Sequence, residues 1–110
     1  MTINESDACI SIQRALLDKI TINLRRISFL MEENMINIFF YYDRLPTIIE
    51  KELVEDVSAE VISDFPESFM INTEIIAVES DKKIHSKGRI IYNRFESNTR
   101  NSTIDNSKDV

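Results

Sequence analysis

Two hydrophobic periods take turns along this chain, and the switches between them mark its elements. Cys9, Ile12, Leu16 and Ile20 recur at helical spacing, with Ala15 on the same side, while Gln13, Arg14 and Asp18 can face water. That pattern predicts a helix over 7–19. Ser6 or Asp7 would cap it by accepting an unpaired N–H of the first turn, leaving residues 1–6 frayed. From Arg26 to Met31 the period falls to two, with Ile27, Phe29 and Met31 on one side and Arg26, Ser28 and Leu30 on the other. Met35 to Tyr42 is a second strand, and the short polar run Glu32-Glu33-Asn34 joins the two as a hairpin. Here Ile36, Ile38, Phe40 and Tyr42 share one face, and Met35, Phe39 and Tyr41 the other. A strand apolar on both faces belongs in the middle of a sheet. One face should lie under helices; the other would sit under the chain's own ends or form a contact surface. Tyr41 is the aromatic expected to reach a partner.

Asp43-Arg44-Leu45-Pro46 then makes a turn, and Thr47-Ile48-Ile49-Glu50 fits a capping box. Ile49, Leu53, Val57 and Val61 step by four, with Val54 and Phe65 widening the stripe. An amphipathic helix from about 47 to 64 follows, stopped by Asp64-Phe65-Pro66. Glu50 falls inside the apolar arc of this helix, which the capping box accounts for. Phe69–Val78 is a third strand, 79–88 a polar loop and Arg89–Glu96 a fourth strand. Gly88, the one glycine, is expected at positive φ where the loop closes. Residues 97–110 are polar and predict a disordered tail. The order α-β-β-α-β-β implies one α+β domain over 1–96: a four-stranded, mainly antiparallel sheet with two helices packed on one face.

Composition narrows the chemistry. The 110 residues suit one domain, and no apolar run approaches the length of a membrane span. The first residues carry acids where a signal peptide needs bases, so the expected location is the cytoplasm. One cysteine, Cys9, and one histidine, His85, provide neither a disulfide nor a nitrogen and sulfur metal site. A chain with one glycine cannot build a Gly-rich phosphate loop. No cofactor is implied. Lys82, Lys83 and Lys87 make a basic patch too small, on an acidic chain, to point to direct nucleic-acid binding.

Charge changes the picture more. Between Asp43 and Glu67 lie eight acidic side chains and two basic ones, a balance of −6 that equals the net charge of the whole chain. Glu52, Glu55, Asp56 and Glu60 form the outer arc of the second predicted helix, with Asp64 at its end. Such an arc is a solvated face or a binding face for something basic. Two other readings compete with binding. The carboxylates could serve a small metal-dependent enzyme, which would need at least two acids converging in a concave site. Alternatively, the chain could be a homo-oligomeric adaptor pairing through a strand edge.

Several short runs bear on the choice. Leu16-Leu17-Asp18-Lys19-Ile20-Thr21-Ile22-Asn23-Leu24-Arg25-Arg26-Ile27 resembles the LLG-x-(V/I)-T-x-N-L-R-x-(V/I) opening of small bacterial immunity proteins of contact-dependent growth inhibition and other polymorphic toxin systems. Phe40-Tyr41-Tyr42-Asp43, Glu52-Leu53, Glu60-Val61-Ile62-Ser63-Asp64-Phe65 and the closing Tyr92-Asn93-Arg94-Phe95-Glu96 extend the resemblance over about residues 14–96. Asp18 departs from the pattern, which has a small residue there, often glycine. The resemblance implies a non-enzymatic protein that binds the C-terminal toxin domain of its own system, commonly a nuclease, with an RNase against tRNA as the leading form. Glu52, Glu55, Asp56, Glu60, Asp64 and Tyr41 are then the expected toxin-binding residues.

Overall fold

The structure is a computed structural model that describes residues 3–96; the tail expected over 97–110 lies outside the described residues. The first helix, α1 (Glu5–Ala15), starts earlier than its hydrophobic spacing predicts. Asn4, not Ser6 or Asp7, is its cap: Asn4 accepts the Asp7 N–H at 3.1 Å, and the Asp7 carboxylate accepts the Asn4 N–H at 2.8 Å. Residues 4–6 therefore belong to a closed capping box and are not a frayed end. Beyond the helix Asp18 takes φ +67°, the left-handed conformation that favours glycine. That is the position where the resemblance puts a small residue.

β1 (Leu24–Glu32) and β2 (Met35–Tyr42) form the expected hairpin, with Glu32 opposite Met35 and Glu33 at φ +53° in the turn. α2 (Ile48–Ser63) opens on the expected box: Thr47 Oγ1 accepts the Glu50 N–H, and the Glu50 carboxylate accepts the Thr47 N–H. β3 (Met70–Ala77) and β4 (Arg89–Asn93) complete a sheet of order β3-β2-β1-β4. The sheet is mixed, which corrects the mainly antiparallel expectation. β2 pairs with β3 in parallel, from Met35↔Met70 to Tyr42↔Ala77. The reason is the helix between them. Sixteen residues of α2 carry the chain back about 24 Å along the sheet, so β3 restarts at the end where β2 began.

Both helices cover one face. Ala8, Ile12, Ala15 and Leu16 from α1 and Val54, Val57 and Val61 from α2 meet Ile27, Phe29, Ile36, Ile38, Phe40 and Tyr42. The strand faces thus fall as the alternation predicts. On α2, Val54, Val57, Val61 and Glu50 point in as expected, whereas Ile49, read as part of the same stripe, points out. On the opposite sheet face Phe39 and Tyr41 pack against Ile84, Ile76 and Val78, so the 79–88 loop closes over them. Gly88 ends that loop at φ +74°, and a Cβ there would lie 2.1 Å from the Phe29 carbonyl oxygen. Only glycine lets the loop come that close to β1.

Candidate functional site

The exposed arc of α2 carries Glu52, Glu55, Asp56 and Glu60, and Asp64 caps the helix end. These acids divide into two groups. Asp64 accepts the Ser11 hydroxyl at 2.7 Å and pairs with Arg14 at 3.2 Å. Glu60 pairs with Lys19 at 3.2 Å. Both therefore tie α2 to α1 and the turn after it. Glu52, Glu55 and Asp56 are exposed and meet no partner among the described residues. The carboxylates point away from the protein, and among the described residues no three His, Cys, Asp or Glu side chains gather into a metal-sized cluster. An open groove of about 450 Å³ between the start of α1 and the end of α2 is lined by Asp7, Arg14 and Asp64, with Ile10, Phe65 and Pro66. Its acids are already engaged in the cap and in the Arg14 pair.

Glu50 is the acid that turns inward, with 3% of its surface exposed. Its carboxylate accepts the Thr47 N–H (2.9 Å), the Thr21 hydroxyl (2.7 Å), the Asn23 amide (3.3 Å) and the Arg44 guanidinium (3.2 Å). Burial by itself would raise its pKa. The hydrogen bonds from Thr47, Thr21 and Asn23, with the nearby Arg44 charge, outweigh that and hold the carboxyl below its ordinary value. Tyr42 lies beside it; burial first, and then the Glu50 charge, push the phenol up to about 12.

A second polar network lies at the same end of the sheet. A bulge between Leu24 and Arg26 leaves Arg25 without a partner in the ladder. Its guanidinium grips Glu96 through two bonds, of 2.7 and 2.8 Å, and donates to the carbonyls of Val78, Glu79 and Lys82 at 3.0–3.1 Å. Arg94 bonds Glu96 (3.0 Å), Asp43 (2.9 Å) and the Ile22 carbonyl (2.8 Å). The Arg25 fork, together with Arg94, holds the Glu96 carboxyl below its ordinary value against the opposing effect of burial.

These contacts give the dispersed matches a physical meaning. Thr21 and Asn23 hold Glu50, while Arg25, Asp43, Arg94 and Glu96 form one ionic chain. The runs that carry the resemblance converge on folding the protein. Tyr41, the aromatic expected to reach a partner, is buried at 2% exposure, and its hydroxyl accepts the Lys87 N–H at 3.2 Å. Its place in a strand with two apolar faces was readable; the loop that covers it was not.

Fold and surface together define a small α+β protein whose polar networks serve its architecture and whose outer helix presents unpaired carboxylates. The family model of the MafI2 immunity protein matches residues 5–96, and the chain belongs to that family. It is an immunity protein of a polymorphic toxin system, and its partner is the cognate toxin. A comparison with curated proteins gives no significant match.

Proposed function

We propose that the chain binds and neutralises a nuclease toxin domain, an RNase acting on tRNA in the leading form, in the cytoplasm of the bacterium that makes both. Delivery by contact-dependent inhibition is part of this reading. The observation that carries it is the outward, unpaired set Glu52, Glu55 and Asp56 on α2. A nuclease must hold phosphates and is therefore basic where it works, so carboxylates compete for the same surface. Glu60 and Asp64 would extend that acidic face while also bracing α1. Complementary charge of this kind acts mostly on the rate of encounter.

The test uses the purified domain of the cognate toxin. The wild-type protein should abolish its cleavage of tRNA at equimolar ratio. The association rate should fall as salt rises, because screening shortens the reach of surface charge to about 8 Å at physiological ionic strength. Replacing Glu52, Glu55 and Asp56 by Gln, Gln and Asn should slow association roughly tenfold and flatten the salt dependence. An unchanged rate would remove α2 from the contact, and a toxin without nuclease activity would remove the nuclease from the reading.

A further inference from the structure

Four of the exposed apolar side chains of this protein border the residues that hold its buried carboxylate. α2 turns Glu50 inward and leaves Ile48 and Ile49 in solvent, the reverse of what burial by hydrophobicity would select. Thr21, Asn23, Arg44 and Thr47 all bond Glu50, and the residues interleaved with them in sequence are Ile22, Leu45 and Ile48. The relative exposures are 84% for Ile22, 79% for Leu45, 75% for Ile48 and 68% for Ile49. Two loops and a helix start are thus pinned by one carboxylate, and each holds a bare aliphatic side chain out to water. An exposed apolar group of this kind marks a contact surface. On α2, Glu52 lies one turn beyond Ile48, and Asp56 one turn beyond Glu52, so the unpaired acids adjoin it directly.

We infer that Ile22, Leu45, Ile48 and Ile49 are the energetic centre of the toxin-binding surface, with Glu52, Glu55 and Asp56 as its charged rim. This rests on the immunity reading above. The occupant is the cognate toxin domain, engaged through a basic surface that surrounds an apolar recess. Charge complementarity argues for that partner over a second copy of this chain, because two copies would bring the same acids together. An apolar centre inside a charged rim is also how tight interfaces divide affinity from encounter rate.

The experiment measures binding of the wild-type protein, the double variant Ile48→Ser/Ile49→Ser, and Leu45→Ser to the inactivated domain of the cognate toxin. Met70→Ser, exposed on β3, serves as the control. The altered side chains are solvent-exposed, so urea midpoints should match the wild type and separate binding loss from misfolding. The double variant should raise Kd by about 30-fold or more, the level of a hot spot, through faster dissociation with an unchanged salt dependence. Met70→Ser should bind as the wild type does. Wild-type binding that the double variant and Leu45→Ser retain in full would overturn the surface assignment and leave the immunity reading standing. No wild-type binding at all would overturn both. A wild-type dimer in sedimentation that the double variant dissolves would give the patch to a second copy and overturn the assignment.

Discussion

Arg25→Met tests the ionic network directly. Arg25 is 3% exposed and makes five hydrogen bonds, two to Glu96 and three to carbonyls of residues 78–82. Methionine keeps much of the apolar stem and removes the charge. Breaking a buried ion pair by deleting one partner costs about 3–5 kcal/mol. The lower end applies here, because Arg94 still bonds Glu96 at 3.0 Å. The three carbonyls lie on a loop that can turn to water, and together they add about 1 kcal/mol. The expected loss is about 4 kcal/mol, a large part of the roughly 5–15 kcal/mol that a domain has in total. In urea melts followed by circular dichroism the midpoint should fall by about 2–3 M, given a slope near 1.5 kcal/mol per M. Arg25→Lys should lie between, since a lysine ammonium has three donors and no planar fork. A midpoint shift under about 0.5 M for Arg25→Met would refute the reasoning. So would strict additivity of Arg25→Met with Glu96→Gln, because two members of one network must couple.

Acid should weaken the fold through Glu50 and Glu96, whose carboxyls both sit below the ordinary 4.5 when folded. Their contribution is complete above about pH 4.5 and is lost as pH falls through 4.5 and past the folded values; urea midpoints from pH 7 to 3 should show this, and Glu50→Gln with Glu96→Gln should flatten the slope. Gly88→Ala meets both a positive φ and the Phe29 carbonyl at 2.1 Å, so it should cost more than about 2 kcal/mol in the same melts. Asp18→Gly relieves φ +67° and should raise stability by about 0.5–1 kcal/mol; a neutral or destabilising result would mean that the aspartate has a local role not visible in its backbone.

The strands of this protein were legible because their alternation is regular: Ile27, Phe29, Ile36, Ile38 and Phe40 all fall on the helix-covered face, as the period of two requires. The direction of β3 was not read, although a sixteen-residue helix between neighbouring strands is the usual reason for a parallel pair. Glu50 falls inside as its helical angle and capping box imply, but Ile49 does not, because a helical stripe counts apolar residues whereas four specific donors draw the Glu50 side inward. Arg25 left no periodic signal at all. It sits in a bulge, outside the ladder, and its partners come from positions as far as 71 residues along the chain. The acidic arc was visible from spacing alone. That Glu60 and Asp64 are spent on Lys19 and Arg14 became visible only when α1 was placed beside α2.

The bond between Arg25 and Glu96 also sets a clock. Synthesis runs from the N-terminus at roughly 5–20 residues per second, so the 71 residues separating the two take about 4–14 seconds to appear. Through that interval the guanidinium has no carboxylate to grip, and β1 has one bare edge. The hairpin, α2 and β3 can all assemble first, yet none of them closes the structure. A chain halted short of residue 96 would carry the whole acidic helix and both apolar isoleucines of its first turn, and would still lack the carboxylate that Arg25 and Arg94 share. Protection by this protein would then begin only once β4 and Glu96 have been made.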